Sequence, residues 1–462
     1  MINYFNFKPM GGQFLLTNDL GSYFFLSTDQ FRELVTTKTV SDECLRAALE
    51  SEGFTFDGSL ECFTERFMPL LRNSKNYVFE ATQLHIFVVT TACNLQCVYC
   101  QAQNGHEVPH AMMDEDTARK AVDIALQSPS KYLSFEFQGG EPLLDFTIIK
   151  FIVEYSEANK AEKIISYSVV TNLSLISEEI ADYLEEHHIT VSTSLDGHQA
   201  IHEKNRPART NFSAHSKAEA GIRFLQERNF HPGAILTTTR SSLAYAKEIV
   251  DEYVRLGLNS ITLRPLTPLG CASTRWSEIG YSPEEFLFFY SESLDYIIAL
   301  NRRGIPISEG MARIYLTKIL DGVAVNYMEL RSPCGASVGQ IAYYCDGRVF
   351  TCDEGRMLAE MGNDAFLLGT VDDDYDHLMD SGVCKTVCSA SILEGLPSCS
   401  DCVYQPFCGV CPAVNYALYG DLIENTPNGY RCKINKGLLD KLFGLLQNAD
   451  DALIQIFRSW IK

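Results

Sequence analysis

The stretch QLHIFVVTTACNLQCVYC, residues 83–100, decides the expected fold. Its first part, Leu84–Thr90, is a continuous apolar run that predicts a buried strand of a parallel sheet. The strand leads directly into a loop that contains three cysteines with the spacing C-x3-C-x2-C: Cys93, Cys97 and Cys100. Three thiolates so close together can face one point, and cysteine is the ligand that iron–sulfur clusters select. With three protein ligands, a cluster of four irons keeps one iron open for chemistry.

The bulk composition narrows the class of protein. A chain of 462 residues is too long for one ordinary core, which predicts two or three domains. The apolar content of 46% is typical of a folded globular protein, and no long uncharged apolar run predicts a membrane span. The first residues lack the basic start and apolar run of a signal peptide, so we expect a cytoplasmic protein with reduced thiols. Sixteen cysteines in that setting favour metal over disulfides.

The net charge of −21 argues against nucleic acid as a partner, because phosphate binding needs a basic surface.

Strand-like and helix-like patterns alternate from residue 83 to about 265. Six apolar runs predict strands: Leu84–Thr90, Leu133–Phe137, Ser166–Val170, Thr190–Ser194, Ala234–Thr239 and Ser260–Leu263. Helical periodicity fills the gaps between them: Asp116–Leu126, Thr147–Tyr155, Glu178–Glu186, Ala218–Glu227 and Ala244–Leu256. Six such units predict an α/β fold with a parallel sheet, an incompletely closed (β/α)6 barrel. In barrels of this kind, functional residues lie at the carboxyl ends of the strands.

The cysteine loop resembles the cluster-binding motif of radical S-adenosylmethionine (SAM) enzymes, C-x3-C-x-aromatic-C, with Tyr99 as the aromatic residue. The resemblance implies the partial TIM-like barrel of that family and a [4Fe–4S] cluster whose open iron binds SAM. In that family, one electron from the cluster cleaves SAM to a 5′-deoxyadenosyl radical, which abstracts a hydrogen atom from the substrate. The alternative for the loop taken by itself is a zinc knuckle.

Motifs at the ends of the predicted strands extend this resemblance. Glycines let a backbone approach a ligand closely, and a glutamate accepts hydrogen bonds from an ammonium group. By resemblance, the SAM pocket includes Gly139, Gly140, Glu141 and Pro142 after the second strand, Asn172 after the third, and Ser194 and Asp196 at the end of the fourth. Arg206 is a candidate clamp for a carboxylate, with a surface salt bridge as the alternative. Arg264, at the end of the sixth strand, is expected to face either SAM or the substrate.

Cysteines crowd together again between Cys334 and Cys432. This region resembles the SPASM extension of radical SAM enzymes, which holds two auxiliary [4Fe–4S] clusters. By resemblance, the first auxiliary cluster is bound by Cys334, Cys352 and Cys411. The second auxiliary cluster is bound by Cys399, Cys402, Cys408 and Cys432. A pair of zinc sites is the alternative, since C-x2-C pairs are equally typical of zinc.

The chain departs from the family pattern around the first auxiliary cluster. Some relatives supply a fourth ligand from just upstream of the first cysteine, and this chain has no cysteine there. Cys345 is a candidate to replace it; otherwise the site is open or takes a water or substrate ligand. Cys384 and Cys388 have no counterpart in the family, and we expect them to pack as small apolar groups.

Residues 1–80 predict a separate unit. Two short apolar runs joined by a turn predict a hairpin, Ser27 and Gln30 form a capping box, and a second helix is expected from Asp42 to Ser51. This pattern resembles the winged-helix-like domain that recognises leader peptides, and the alternative is a cap packed on the barrel. The other expected units are the barrel (81–265), a helical connector without chemistry of its own (266–333), the SPASM domain (334–435) and a terminal helix (436–462).

These resemblances identify the chain as a radical SAM/SPASM peptide maturase, similar to the His-Xaa-Ser system type. We expect it to crosslink or otherwise alter residues of a ribosomally made precursor peptide with a leader, with flavodoxin or ferredoxin as electron donor. Asp353 stands where sulfatase-maturing relatives use an aspartate as a base, and a structural carboxylate is the alternative. The alternative functions are anaerobic sulfatase maturation, which produces formylglycine, and a non-catalytic zinc-binding peptide scaffold.

Overall fold

The fold was analysed in a computed structural model that describes residues 1–102, 110–322, 325–423, 426 and 428–461. Lys462, the last residue of the expected terminal helix, lies outside the described residues. The strands are β1 (Asn6–Met10), β2 (Gln13–Thr17), β3 (Tyr23–Ser27), β4 (Leu84–Thr90), β5 (Tyr132–Gly139), β6 (Ile164–Thr171), β7 (Thr190–Ser194), β8 (Gly233–Thr237), β9 (Ser260–Arg264), β10 (Ser308–Glu309), β11 (Gln340–Tyr343), β12 (Arg348–Phe350) and β13 (Leu367–Thr370).

The helices alternate with these strands along much of the chain. They are α1 (Thr28–Thr37), α2 (Glu43–Ser51), α3 (Leu60–Ser74), α4 (Glu115–Gln127), α5 (Phe146–Asn159), α6 (Glu178–Glu186), α7 (Gln199–Asn205), α8 (Ala214–Glu227), α9 (Ala246–Arg255), α10 (Cys271–Thr274), α11 (Trp276–Ile279), α12 (Pro283–Arg302), α13 (Gly310–Leu320), α14 (Asp353–Glu360), α15 (Tyr375–Met379), α16 (Gly382–Ser389), α17 (Pro412–Tyr419), α18 (Tyr430–Gln447) and α19 (Asp451–Trp460). Short 3-10 helices lie at Asn76–Phe79, Pro142–Asp145, Leu393–Gly395 and Gln405–Phe407.

The large sheet contains ten strands in the order β10-β9-β8-β7-β6-β5-β4-β11-β12-β13. Strands β4 to β9 are the six predicted from the sequence, and each pairs in parallel with the next, which confirms the α/β fold with a parallel sheet. β10 and β11 add one parallel strand at either side, and β12 and β13 continue the sheet in antiparallel register. These four additional strands contain only two to four residues each, too few to produce a recognisable apolar pattern.

The sequence explains why β4 lies in the middle of the sheet. Its residues from His85 to Thr90 are all buried, as expected of a parallel strand that is covered on both faces. Phe87 packs against Phe135 and Phe137 of β5 and against Tyr343 of β11, so that aromatic rings link three adjacent strands. The end of this strand therefore presents the following cysteine loop from a rigid position.

The N-terminal unit is a three-stranded antiparallel sheet followed by α1, α2 and α3. The predicted hairpin is formed by β2 and β3, and β1 adds a third strand. The predicted capping box is present, because the Ser27 side chain accepts from the Gln30 backbone and the Gln30 side chain accepts from the Ser27 backbone. Asp42 caps α2 by accepting a hydrogen bond from the amide of Leu45.

This N-terminal sheet docks on the cysteine-rich region and on α18. Thr17 Oγ1 donates a 2.6 Å hydrogen bond to the Val403 carbonyl, and Asn6 Nδ2 donates a 3.2 Å hydrogen bond to the Cys402 carbonyl. Tyr23 packs edge-on against Phe443 of α18 at a ring separation of 5.3 Å. The first strands of the chain therefore stabilise a loop near its end.

Residues 266–333 form a helical segment made of α10 to α13. Its longest helix, α12, packs against both α9 and α18 and so joins the barrel to the C-terminal helices. Within the described residues, no helix has the combination of length and apolar character needed to cross a lipid bilayer.

Candidate active site

A cavity of about 210 Å³ lies at the carboxyl ends of the central parallel strands. Parallel strands place their carboxyl ends at one edge of a sheet, so residues distant in sequence meet there. The predicted residues that line this cavity are Cys93, Cys97, Tyr99, Cys100, Gly139, Gly140, Glu141, Asn172, Ser194 and Arg206. The structure thus brings the cysteine loop and most of the predicted strand-end residues to one place.

The three thiols of the loop lie close together in a buried environment. Burial raises the pKa of Cys93 to about 12, and the charge of neighbouring Cys97 contributes to this rise. Burial and the charges of Cys97 and Cys93 raise the pKa of Cys100 further still. Buried thiols without a cation stay protonated, whereas a coordinated metal removes their protons outright. The donor set therefore fits a thiolate-bound metal centre.

The spacing of the sulfurs distinguishes between kinds of metal centre. Zinc binds sulfur at about 2.3 Å, which places the sulfurs of a tetrahedral site about 3.8 Å apart. No three cysteines of the described residues bring their sulfurs within 4.8 Å of one another. The cysteine groups are thus too open for a single zinc ion, and a larger centre of several metals fits them better.

In the part of the chain that the structure describes, one group of side chains meets this spacing: His215, Glu219 and Glu252. Arg255 donates hydrogen bonds of 2.8 Å to both carboxylates, and His215 Nε2 lies 2.8 Å from Glu252 Oε1. The carboxylates are therefore already paired, and this group is a largely buried ion-pair network between α8 and α9.

The two glycines of the GGEP motif allow β5 to approach the cysteine loop. A Cβ atom on Gly139 would lie 2.3 Å from the Thr90 carbonyl oxygen, and one on Gly140 would lie 2.1 Å from that of Ala92. The amide of Gly140 donates a 2.8 Å hydrogen bond to the Thr90 carbonyl. These glycines therefore let the backbone of β5 approach the backbone of the cysteine loop closely. This contact fixes the position of the thiols.

Glu141 connects the ends of β5 and β6. Its carboxylate is 1% exposed and accepts hydrogen bonds from Thr171 Oγ1 at 2.6 Å, from the Asn172 amide at 2.8 Å and from the Leu143 amide at 3.2 Å. Burial raises the pKa of Glu141 to about 7 despite these donors. A carboxylate has about four acceptor positions, so one remains toward the cavity. Pro142 is buried at the start of a 3-10 helix and does not line the cavity, contrary to its expected place in the SAM pocket.

Asp196 does not line the cavity either, because its fully buried carboxylate is occupied by internal donors. Tyr99 Oη donates to its Oδ2 at 2.6 Å, Arg206 Nε donates to the same oxygen at 3.1 Å, and the Thr237 amide donates to Oδ1 at 3.2 Å. The expectation that Asp196 contacts SAM is thus corrected: it supports two residues that do line the cavity.

Arg206 forms a buried ion pair with Asp196 rather than the surface salt bridge considered as its alternative. Its guanidinium lies over the Tyr99 ring, 5.1 Å from the ring centre, and its Nη1 lies 3.8 Å from Cys97 Sγ. By pairing with Arg206, Asp196 keeps the positively charged guanidinium beside the thiols and at the wall of the cavity.

Several cavity residues escaped the sequence analysis: Gln138, Thr237, Arg356 and Met357. Arg356 is almost fully buried and forms an ion pair with Asp353, with a 3.1 Å hydrogen bond from its Nε. Asp353 is therefore linked to the cavity through Arg356 and is not itself a lining residue. The one available signal was the i, i+3 spacing of these two residues directly after Cys352.

Cys271 of the helical segment was also overlooked. It is buried, its amide donates a 2.8 Å hydrogen bond to the Cys100 carbonyl, and its charge acts on the thiols of both Cys97 and Cys100. The helical segment 266–333 therefore supports the cysteine loop through Cys271.

The three cysteines expected at the first auxiliary site come together. Cys334, Cys352 and Cys411 belong to one small buried cluster, and burial together with nearby charges, including the other two thiols, raises the pKa of Cys352. Cys345 does not join them. It follows β11, packs in the main core, and its charged neighbours are Asp346, Arg356 and Arg348, which corrects its expected role as the fourth thiolate.

The four cysteines expected at the second auxiliary site line one cavity of about 40 Å³: Cys399, Cys402, Cys408 and Cys432. Asn435 Nδ2 of α18 lies 3.7 Å from Cys408 Sγ and orients this thiol. The remaining pair, Cys384 and Cys388, lies on α16, where the two thiols hydrogen-bond to each other and Cys384 packs in the core.

Arg264 faces a charged cluster and not the main cavity. Its Nη2 donates a 2.8 Å hydrogen bond to Glu329 Oε1, and Arg431 pairs with the other oxygen of Glu329. Burial acts to raise the pKa of Glu329, but the charges of Arg431 and Arg264 lower this pKa to about 2. Arg264 was expected to face either SAM or the substrate. It lines a separate cavity of about 30 Å³ and not the main cavity, so contact with SAM is not met.

Known proteins resemble this chain in sequence and in fold. The radical SAM superfamily profile matches residues 87–243, from β4 to just beyond β8. A cysteine-type anaerobic sulfatase-maturating enzyme of Clostridium novyi is 24% identical over 341 residues, which cover 68% of this chain and 83% of that enzyme. An uncharacterized protein of Methanocaldococcus jannaschii is 34% identical over 183 residues, 40% of this chain. The chain spans 62% of the length of this last relative, less than two thirds.

Solved structures agree on the fold. The structure of anSMEcpe with bound AdoMet has a TM-score of 0.68 at 20% identity and covers 81% of this chain and 98% of its own. SuiB of Streptococcus suis bound to precursor peptide SuiA has a TM-score of 0.55 at 16% identity and covers 92% and 98%, respectively. A radical SAM domain implies a [4Fe–4S] cluster and SAM. Residues 87–243 match the profile of such a domain, and 68% of the chain is similar in sequence to an anaerobic sulfatase-maturating enzyme.

Proposed function

We propose that this radical SAM enzyme oxidatively modifies residues of a ribosomally made precursor peptide. The observation that carries the proposal is the grouping of ten cysteines at three separate places, which matches one SAM-binding cluster and two auxiliary clusters. Cys93, Cys97 and Cys100 hold the first cluster in the main cavity. When bound, this cluster supplies the electron that cleaves SAM to a 5′-deoxyadenosyl radical, which removes a hydrogen atom from the peptide.

The residues around the main cavity bind and orient SAM. Glu141 offers its remaining acceptor position to the amino group, and Arg206 offers guanidinium donors to the carboxylate. Asn172 and Ser194 add polar groups on the same wall. Because Asp196 and Tyr99 hold Arg206 from behind, the clamp is rigid before the ligand arrives.

The auxiliary sites complete the electron balance of an oxidation. Hydrogen abstraction leaves a carbon radical on the peptide, and formation of a new bond from it releases one electron and one proton. The thiols around Cys352 and Cys408 would hold clusters that could accept that electron, and a flavodoxin or ferredoxin would supply the electron used to cleave SAM. Asp353 is the candidate acceptor of the proton, and its ion pair with Arg356 positions it beside the cavity.

The N-terminal unit is the candidate site for the leader peptide. Both outer strands of its sheet, β1 and β3, have an edge without a partner strand in the described residues, and such edges pair with extended peptides. Large apolar side chains are exposed on this unit, with Phe7 on β1 52% exposed and Phe79 after α3 64% exposed. The peptide-bound SuiB structure supports this assignment, and the net charge of −21 favours a basic leader.

Sulfatase maturation is the second candidate, because the Clostridium novyi relative carries that name and Asp353 directly follows Cys352. It predicts that a short sulfatase-derived peptide is modified without a leader. A zinc-bound scaffold is disfavoured, since the sulfurs of the described cysteines are too far apart for a single zinc ion.

The first experiment is anaerobic reconstitution followed by metal analysis and a 5′-deoxyadenosine assay. About twelve irons per chain together with SAM cleavage support three clusters, whereas zinc, or about four irons without cleavage, contradicts the proposal. Candidate precursor peptides are then incubated with the enzyme, with a sulfatase-derived peptide as the competing substrate.

Surface variants test the role of the leader. Phe7→Asp and Phe79→Asp are expected to weaken modification of the full precursor and to leave SAM cleavage without peptide unchanged. Phe288→Asp on α12 is the matched control, because Phe288 is 67% exposed and lies outside the N-terminal unit. Equal loss in all three variants would argue against leader recognition by the N-terminal unit.

A further inference from the structure

We propose that Arg331 is a buried counter-charge to the first auxiliary cluster and raises its reduction potential. This inference rests on the proposed function, because it assumes that an iron–sulfur cluster is bound by three thiols: Cys334, Cys352 and Cys411. The thiolate and sulfide ligands of such a cluster carry negative charge. Its reduction potential is set in part by the charges around it, by hydrogen bonds to its sulfurs and by burial.

Arg331 is a buried cation without an ion-pair partner in the described part of the chain. The residue is 1% exposed. Among the residues that the structure describes, no carboxylate oxygen lies within 4.0 Å of its nitrogens. A buried charge without a compensating charge is strongly destabilising. The fold therefore calls for negative charge that the described side chains do not place beside this guanidinium.

The acid that acts on Arg331 from farther away is Glu80, and its carboxylate already has donors. Asn76 Nδ2 donates to Glu80 Oε1 at 2.8 Å, and Gln83 Nε2 donates to Glu80 Oε2 at 3.2 Å. Both oxygens of this carboxylate are thus held by neutral amides. Glu80 does not replace a direct partner of the guanidinium.

Neutral groups fix the orientation of the guanidinium. Its Nε donates a 3.0 Å hydrogen bond to the Pro333 carbonyl, and its Nη1 donates a 2.5 Å hydrogen bond to Asn326 Oδ1. The guanidinium carbon lies 4.3 Å from the centre of the Tyr77 ring. An amide, a carbonyl and a ring carry no net charge, so they hold the cation in place and compensate its charge only in part.

The Nη2 atom of Arg331 is the part of the side chain that lacks an acceptor. It is buried and makes no hydrogen bond within the described residues. Buried donors in folded proteins almost always have an acceptor, and an exception indicates a bound group such as water or an ion. Thiolate and sulfide sulfurs are acceptors that also carry negative charge. A cluster at the neighbouring thiols would therefore supply both the acceptor and the charge that Arg331 needs.

The contact with Pro333 places Arg331 beside the site. The Pro333 carbonyl is bonded to the nitrogen of Cys334, so covalent geometry keeps Arg331 Nε within about 10 Å of Cys334 Sγ. Cys334 Sγ itself donates a 3.5 Å hydrogen bond to the Met328 carbonyl, which also accepts the Gly335 amide at 3.0 Å. The cation and this thiol thus belong to one tightly folded loop. Both residues are buried, so water screens their interaction poorly.

The sign of the effect follows from the charge. A fixed positive charge stabilises the form of the cluster that carries one more electron, so Arg331 raises the reduction potential. It thereby favours transfer of the electron that is released when the new bond forms on the peptide. Arg331 is a positioning residue in this scheme, because it touches neither SAM nor the peptide.

The test measures reduction potentials by EPR-monitored redox titration of the full chain. The background protein carries Ala in place of three loop cysteines, so that only the auxiliary clusters give signals: Cys93, Cys97 and Cys100. A further Cys399→Ser substitution removes the second auxiliary cluster and so assigns the signal of the first. In the background protein, Arg331→Gln removes the charge but keeps an amide donor, whereas Arg331→Lys keeps the charge.

Arg348→Gln is the matched control, because the charge of Arg348 is already paired. This residue stands four positions before Cys352. It donates hydrogen bonds of 2.8 Å to Asp346 Oδ2 and of 3.0 Å to Asp364 Oδ1, and its guanidinium lies 5.3 Å from the centre of the Tyr344 ring. The control therefore removes an arginine from the same region without removing an uncompensated charge.

Arg331→Gln is expected to lower the midpoint potential of the first auxiliary cluster. At the midpoint of the background protein, the ratio of reduced to oxidised cluster should fall at least about tenfold, which is about 59 mV for a one-electron couple. In Arg331→Lys and Arg348→Gln the ratio should stay within about threefold of the background. The potential of the second auxiliary cluster should not change in any variant.

Loss of the first cluster in Arg331→Gln makes Arg331→Lys the deciding variant. Full iron content and an unchanged potential in Arg331→Lys then support the role of the charge. Loss of the cluster in both variants overturns it, because the charge alone is then not sufficient. Circular dichroism of each variant confirms that the chain is folded.

Three other results overturn the inference, and they are distinguishable. Full iron content with an unchanged potential in Arg331→Gln shows that the charge does not act on the cluster, and the proposed function stands. Equal shifts in Arg331→Gln and Arg331→Lys show that packing, and not charge, sets the potential. A background protein without iron shows that the cysteine assignment of the proposed function is wrong, and the role of Arg331 fails with it.

Discussion

Tyr99 Oη donates a 2.6 Å hydrogen bond to Asp196 Oδ2, and this contact ties the cysteine loop to the end of the fourth barrel strand. The same oxygen accepts from Arg206, so one buried carboxylate fixes both an aromatic residue of the loop and a cation beside the thiols. The geometry of the candidate active site therefore depends on a residue that does not line it.

Asp196→Asn is expected to destabilise the apoprotein strongly. Asn keeps the size of the side chain but leaves the charge of Arg206 buried and unpaired, which costs about 3–5 kcal/mol of unfolding free energy. Urea unfolding measures the loss. Asp295→Asn is the control, because Asp295 forms an exposed pair with Lys441, and such pairs contribute at most about 1 kcal/mol. A similar small effect in both variants would mean that the buried pair is not formed.

Gly140→Ala is expected to displace the cysteine loop. The added methyl group would lie 2.1 Å from the Ala92 carbonyl oxygen, and backbone atoms have no alternative rotamer to adopt. We expect a loss of at least about 2 kcal/mol in stability and of the irons of the SAM-binding cluster only. Iron analysis and thermal unfolding of the variant report both effects.

Gly444→Ala serves as the matched control for this substitution. Gly444 lies within α18, and a Cβ atom there would have no neighbour within 4 Å among the described residues. Alanine favours the helix over glycine, so this variant is expected to be as stable as the parent or more stable. Equal iron content in the Gly140→Ala and Gly444→Ala proteins would contradict the role given to the GGEP motif.

The pKa of Glu141 predicts how the stability of the apoprotein depends on pH. Burial raises this pKa from 4.5 to about 7 in the folded state, so the folded protein binds the proton more tightly than the unfolded chain. Stability is therefore highest below pH 4.5 and falls as the pH rises toward 7, by about 3 kcal/mol from this group. Glu141→Gln should abolish this component in urea unfolding between pH 5 and 7.5. An unchanged pH profile would show that Glu141 is ionised in the fold.

Substitution of single cysteines separates the three groups. Cys334→Ser and Cys399→Ser are each expected to lower the iron content by about four irons, from different clusters, and to leave the SAM-binding cluster in place. Cys345→Ala and Cys384→Ala should retain the full iron content, because neither thiol joins a group. Loss of a cluster in Cys345→Ala would restore Cys345 as a ligand.

The barrel was largely predictable because its strands are buried on both faces. The predicted bounds of β4 and β7, Leu84–Thr90 and Thr190–Ser194, match those of the structure. The short strands β10 to β13 were not predicted, because their pairing is decided by contacts with neighbours far away in sequence. The α7 helix, Gln199–Asn205, was missed for a different, local reason, because its first residue is not capped by a side-chain hydrogen bond.

The sequence predicts which residues belong to the site better than it predicts what each side chain does there. Motif spacing indicates that Asp196 lies at a strand end, yet it does not reveal which groups its carboxylate faces. The ion pairs of Glu329 with Arg264 and Arg431 join three regions of the chain that no local pattern connects. Gln138 and Arg356 belong to no motif, so their place at the cavity follows only from the fold.

The hydrogen bonds from Asn6 and Thr17 to the carbonyls of Cys402 and Val403 have a consequence for biosynthesis. The first strands leave the ribosome long before the loop on which they dock has been translated. Until then, their apolar surface toward Phe443 has nothing to cover it. The second cysteine group in turn lacks its support until the first strands and this loop have both been made. Metal loading of that group therefore follows the synthesis of both the strands and the loop, and a chaperone that shields the nascent sheet is expected to raise the yield of loaded enzyme.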